Sequence, residues 1–164
     1  TLPAARLLLV GQGTEGQRLR RLAAVLPARD RIRFLGVRAH DTLPQCYQAA
    51  DLFLFASETE TQGLVLAEAA ACGLPAVAVS APGCDEVVRD GETGILTKND
   101  PPTLGDAAIG LLLDPERRRR MGRRAREIAE QDFDARLQIE RTLNVYADAA
   151  ARCHTRLSRG TSGR

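Results

Sequence analysis

The chain has 164 residues, with 23 basic and 21 acidic side chains and a net charge of +2. That length supports one domain burying roughly 70% of the unfolded chain's surface, and so small a net charge gives no ground for a nucleic-acid partner. Four cysteines stand singly beside two isolated histidines. This favours free thiols in a reducing compartment over disulfides or a zinc site, and no apolar run approaches membrane-spanning length or reads as a secretory leader.

The opening T-L-P-A-A-R lacks an initiator Met, which points to a piece of a longer protein. Residues 7–10 are a continuous apolar run, as expected of a strand buried on both faces. The run ends in Gly11-Gln12-Gly13-Thr14-Glu15, after which Leu19, Leu22, Ala23 and Leu26 recur at helical spacing. Residues 27–30 break that pattern, and Ile32 to Gly36 reads as a short strand with glycine at its carboxyl end. Thr42 is placed to cap a helix over residues 43–50, and residues 52–55 form the next strand.

A polar loop follows, and then a helix over residues 64–72. Gly73 suits the position just past that helix, and Pro75 stops its continuation. Residues 76–79 are a strand, 81–84 a loop, 85–88 the start of a helical turn, and 90–94 turn chemistry before a strand at 95–97. Asp100-Pro101-Pro102 leads into a helix through Leu113. Asp114-Pro115-Glu116 then starts a helix to about Gln131, with an N-cap Asp, Pro at the first helical position and an acidic first turn. A break at 132–134 precedes a last helix to about Ala151. Residues 152–164, polar and rich in Gly and Arg, are expected to be disordered.

Strands alternating with helices predict an α/β domain with a doubly wound parallel sheet and a helical C-terminal segment. Residues 1–131 would form the Rossmann-like domain, 132–151 the terminal helix and 152–164 the tail. Such sheets bind ligands beyond the carboxyl ends of their strands. The loops at 11–15, 36–40, 57–63 and 80–86 all fall there.

The triplet of Gly11, Gly13 and Gly16 invites a dinucleotide fingerprint, but no acidic residue ends the next strand to hold a ribose. A tight strand-to-helix turn is the better reading, bordering a ligand pocket. The sharper signal is the pair Glu60 and Glu68, with seven residues between them. Glu68 sits among Leu64, Ala67, Ala71 and Cys72 on an otherwise apolar helix, where a carboxylate is costly unless it meets a partner. Carboxylates accept hydrogen bonds from hydroxyls, which suits a sugar or ribose. Gly63 lets the backbone approach a ligand, and the helix it opens offers unpaired N–H groups to an anion. The two carboxylates are expected to converge on one hollow.

The run E-T-Q-G-L-V-L-A-E-A-A-A-C-G-L-P-A-V resembles the E-x7-E signature of retaining GT-B glycosyltransferases of glycosyltransferase family 4. The likeness covers nearly the whole chain. L-L-V-G-Q-G, I-R-F-L-G, A-D-L-F-L-F-A-S and the segment from Gly83 through Glu86 and Asp90 to Gly94 are each similar to family segments. The resemblance implies that Glu60, the first motif glutamate, is the catalytic-site residue contacting donor-sugar hydroxyls. Backbone N–H groups around Gln62, Gly63, Leu64 and Val65 would hold sugar hydroxyls and diphosphate. Glu68 would bind the ribose, backbone at Phe34, Leu35, Gly36 and Val37 would border the base, and Gly11 and Gly13 would flank the pocket. It implies no cofactor and no obligatory metal, with a nucleotide-diphosphate sugar as donor substrate.

The E-T-Q-G-L variant, with Gln62 where many members have an aromatic, is similar to members that glycosylate lipids, such as diacylglycerol glucosyltransferases. The implied acceptor is a lipid or glycan, met through an N-terminal domain that these residues do not contain. The implied location is the cytoplasm, at the inner face of the membrane, in lipid, polysaccharide or cell-envelope glycan synthesis. The family's G-R-x-x-x-x-K-G cations are also not among these residues, so the chain alone is expected to bind donor weakly and to be inactive. A non-catalytic binding domain on the same fold is the alternative; an epimerase or dehydrogenase is disfavoured by the incomplete fingerprint. The Arg-rich segment 117–126 reads as a solvated helix face, and the apolar stripe Leu137, Leu143, Val145 and Tyr146 as a surface for another domain or a second copy.

Overall fold

The computed structural model describes residues 2 and 4–160, leaving aside the side chains of 151 and 153–160. Among the described residues there are five strands and seven α-helices, alternating as far as α5: β1 Leu7–Val10, α1 Gly16–Val25, β2 Ile32–Gly36, α2 Leu43–Gln48, β3 Phe53–Phe55, α3 Leu64–Ala71, β4 Ala76–Val79, α4 Pro82–Asp85, β5 Gly94–Thr97, α5 Pro101–Leu113, α6 Pro115–Asp132 and α7 Ala135–Gly160. Every strand pairing is parallel, as the strand–helix alternation predicts. The hydrogen bonds divide the strands into two groups, β1–β2 and β3–β4–β5. The expected single sheet is therefore interrupted, because neither β1 nor β3 has a second strand partner among the described residues.

The core is built around β4, whose four residues are all buried. Side-chain alternation gives it two faces. Ala76 and Ala78 pack with Leu66 and Ala67 of α3 and with Cys84, Val87 and Val88. Val77 points the other way, onto Leu111 of α5 and Met121 of α6. Alanines on the first face let α3 lie close to the sheet, which places its N-terminus at the carboxyl end of β3. Full burial of a side chain such as Leu66 or Leu111 contributes roughly 1.5–3 kcal/mol. No described residue before Gly63 is buried. Several apolar residues of the β1–β2 half, Leu8 and Leu22 among them, remain exposed, while Leu9, Ile32, Phe34 and Leu35 are half-buried.

Local chemistry sets the ends of the helices. The close of α3 is a Schellman motif: Leu74 N donates to Ala69 O and Gly73 N to Ala70 O, with Gly73 at φ +73°. Asp100 caps α5 by accepting from Thr103 N at 3.0 Å, and Asp114 caps α6 by accepting from Arg117 N at 2.9 Å. Both helices open with Pro in the first turn, as the sequence predicts.

Two boundaries differ from expectation by more than two residues. The helical turn expected from Asp85 instead begins at Pro82, whose ring presets the helical φ, and ends at Asp85. The last helix continues past Ala151 to Gly160, so residues 152–160 of the expected disordered tail are helical in backbone. No proline or glycine interrupts that stretch before Gly160. Residues 161–164 of the tail lie outside the described residues. The side chains of Leu137, Leu143, Val145 and Tyr146 on α7 are exposed.

The Arg-rich segment is partly committed to internal contacts. Arg118 donates to Leu112 O at 2.8 Å and pairs with Asp51 at 3.0 Å, tying α6 to the end of α5 and the start of β3. Arg124 pairs with Glu92 and Glu127. Cys46, Cys72 and Cys84 are free thiols.

Candidate functional site

The loop between β3 and α3 is fastened from behind by α4. Gly83 N donates to Glu60 O at 3.3 Å, and the Cys84 thiol lies 3.9 Å from Ser57 O. Gly63 and Gly83 meet backbone to backbone: a methyl group on Gly63 would lie 2.5 Å from Gly83 O and 2.8 Å from Val87 Cγ2. A methyl on Gly83 would lie 2.8 Å from the Glu60 carbonyl and 2.9 Å from Gln62 N. Gly63 also holds a left-handed conformation, φ +63° and ψ +27°, as the residue that turns the loop into α3.

Within this loop the Glu60 carboxylate turns onto its own backbone. Its Oε1 accepts from Thr61 N at 3.0 Å and from Gln62 N and Gly63 N, each at 3.2 Å. The N–H groups of Gln62, Gly63 and Thr61 hold this carboxyl below the ordinary glutamate value. The contribution of these bonds is therefore present above that ordinary value and is lost as the pH falls through the lowered one. In an acid titration followed by NMR, the amide signals of Thr61, Gln62 and Gly63 should move together, with a midpoint below 4.5, the ordinary value. A midpoint at or above 4.5 would show that the three bonds do not form in solution.

Two of the N–H groups nominated as ligand donors, those of Gln62 and Gly63, are thus engaged by Glu60. Those of Leu64 and Val65 precede the first bonds of α3, which Leu66 N and Ala67 N donate to Gly63 O. They therefore have no partner within the helix.

Glu68 lies one turn further along α3, on the wall of an open cleft of about 740 Å³. Gln62, Leu64, Glu86, Arg126 and Phe133 line the same cleft. The Glu68 carboxylate is partly buried and accepts from the Tyr47 hydroxyl at 2.9 Å. Arg126 projects from α6, ion-paired with Glu130 at 2.5 Å and donating to Ala71 O at the end of α3.

Of the residues nominated from sequence, Gln62, Leu64 and Glu68 share this cleft. Glu60, Val65, Phe34, Leu35, Gly36, Val37, Gly11 and Gly13 are not in its lining. Gly11 and Gly36 do meet at the carboxyl ends of β1 and β2, where Gly11 N donates to Gly36 O at 2.8 Å. The Phe34 ring is covered by the Arg20 guanidinium at 4.5 Å. Tyr47, Arg126 and Phe133 carry no signal of a site in the sequence. Tyr47 lies 21 residues before its partner Glu68, and nothing in that spacing joins them before the chain is folded.

This arrangement, parallel strands with a helix that opens beyond the carboxyl end of β3 and carries a carboxylate on a cleft wall, is the Rossmann-like half of a GT-B fold. Residues 1–128 match the family of glycosyl transferases group 1, and the chain belongs to that family.

It is similar to the N-acetyl-alpha-D-glucosaminyl L-malate synthase of Bacillus anthracis, 39% identical over 145 residues, covering 88% of this chain and 38% of that protein. Among solved structures, sucrose-phosphate synthase from Thermosynechococcus elongatus superposes with a TM-score of 0.81 at 31% identity, covering 92% of this chain and 40% of the other. Anabaena Alr3699/HepE, solved in complex with UDP, gives a TM-score of 0.78 at 32% identity, over 87% of this chain and 42% of that one. The chain therefore spans well under half the length of these relatives.

Proposed function

We propose that this chain is the donor-binding part of a retaining glycosyltransferase of family 4, which moves a hexose from a nucleotide sugar to an acceptor. The observation that carries the reading is Glu68: a partly buried carboxylate on the apolar helix α3, on a cleft wall one turn from that helix's N-terminus. A carboxylate in such a place is matched by hydroxyl donors, and a helix N-terminus by phosphate. Glu68 would hold the ribose hydroxyls, and the N–H groups of Leu64 and Val65 the diphosphate. Negative charge developing on the leaving diphosphate would be stabilised there by the helix dipole. Glu60 would exchange one or more of its loop bonds for hydroxyls of the donor sugar, completing the E-x7-E pair. That relatives of this fold bind UDP supports a nucleotide-sugar donor.

The acceptor in this reading is a lipid or glycan of the cell envelope, bound by parts of the protein outside these residues, at the cytoplasmic face of the membrane. Among the described residues no helix is long and apolar enough to cross a membrane. The chain by itself should bind donor weakly and turn nothing over.

Thermal denaturation with millimolar UDP-glucose, UDP-galactose and GDP-mannose tests the proposal. At least one should raise the melting temperature, since a ligand that binds only the folded state stabilises it by mass action. Glu68→Ala should lower affinity for that nucleotide by roughly 10- to 100-fold, the worth of hydrogen bonds to a charged group. A thermal shift unchanged by Glu68→Ala would overturn the ribose assignment.

A further inference from the structure

Tyr47 lies in the last turn of α2 and is absent from the cleft lining, yet its hydroxyl donates to Glu68 Oε2 at 2.9 Å. Its ring is held edge-on to Phe53, with centroids 5.6 Å apart and planes at 76°. Phe53 in turn stacks on Phe55 at 5.9 Å, and both pack on the buried cluster that contains Leu66, Cys84 and Val88. The phenol is therefore mounted on the sheet and aimed at one oxygen of one carboxylate. A glutamate side chain otherwise loses considerable rotamer freedom when a ligand fixes it.

We infer that Tyr47 is a positioning residue for the donor site: by occupying Oε2 it sets the plane of the Glu68 carboxylate and turns Oε1 toward the ligand's hydroxyls. The inference rests on the ribose role given to Glu68 above. Burial first, and then the bond to Glu68, push the Tyr47 hydroxyl well above the ordinary tyrosine range, so it remains a proton donor at any working pH. One carboxylate oxygen is thereby reserved, and the other meets the ligand in a preset orientation. Preorganisation of this kind strengthens binding by removing the cost of ordering the receptor.

The test is calorimetric binding of UDP and 2′,3′-dideoxy-UDP, with GDP and 2′,3′-dideoxy-GDP alongside, to the parent chain, Tyr47→Phe and Glu68→Gln. Phe keeps the ring packing and removes only the donor. The parent should prefer the ribonucleotide by about 10-fold or more, and Glu68→Gln should erase most of that preference. Tyr47→Phe should weaken ribonucleotide binding by about 3- to 10-fold while leaving the dideoxy analogue within about twofold. A parent chain that binds neither ribonucleotide, or does not distinguish either from its dideoxy form, removes the ribose role of Glu68 and this inference with it. A parent that discriminates, beside a Tyr47→Phe variant that discriminates equally well, overturns the positioning role alone. Equal weakening of both nucleotides by Tyr47→Phe does the same, because it marks a purely structural contact.

Discussion

Gly63→Ala is expected to lower stability by about 2–4 kcal/mol and to abolish the response to donor nucleotide at the same time. Two independent costs add. An L side chain in the left-handed region costs about 1 kcal/mol or slightly more. The new methyl would also meet Gly83 O at 2.5 Å and Val87 Cγ2 at 2.8 Å, and overpacking of this kind costs about 1–3 kcal/mol. The first contact is with backbone, so no side-chain rotation relieves it; the loop must lift off α4. That movement would disturb the N–H groups of residues 61–63 and the start of α3 together. Thermal denaturation should show a melting temperature lower by roughly 5–15 °C, with no rise on adding nucleotide. A melting point within a degree of the parent would mean that the Gly63–Gly83 contact is not made in solution.

Gly122→Ala should have the next largest effect, about 2 kcal/mol of destabilisation and a melting temperature lower by roughly 4–8 °C. Gly122 lies on the face of α6 that rests against the end of α3, and a methyl there would overlap the Gly73 carbonyl oxygen and touch Pro75 Cδ at 3.3 Å. Alanine in a helix interior would ordinarily gain up to about 1 kcal/mol over glycine. Here the steric cost exceeds that gain. Gly110→Ala on α5 separates the two effects, because a methyl at that position meets nothing within 4 Å. It should stabilise, or leave stability unchanged, by the same thermal assay. If both substitutions stabilise, the close approach of α6 to α3 is wrong, and so is the shape of the cleft that Glu68 and Arg126 line.

The features legible in the sequence are those whose cause is local. Asp114-Pro115 announces the start of α6, and Gly73 followed by Pro75 the end of α3, because capping and ring constraints act over a few residues. Apolar runs mark the strands, and their alternation with helical segments marks the parallel topology. Glu68 could be singled out because a carboxylate on an apolar helix contradicts its surroundings. What could not be read is whatever depends on partners distant in the chain. The split between β1–β2 and the other strands depends on which edges find one another. The use of Glu60 to cap its own loop depends on backbone angles at residues 61–63, and the bond from Tyr47 depends on α2 lying beside α3. The same holds for Arg126 and Phe133, which reach the cleft only because α6 packs along α3.

The uneven placement of the core has one more consequence. Since burial among the described residues begins only at Gly63, this stretch of chain has, taken by itself, a firm half around β4 and a soft half made of β1, α1 and β2, and segments with few buried contacts open at little free-energy cost. The proposed base-bordering backbone at residues 34–37 belongs to the soft half, and the proposed ribose and phosphate groups to the firm one. A nucleotide lying across both would act as a rivet, spending part of its binding energy on stiffening the wall it leans against.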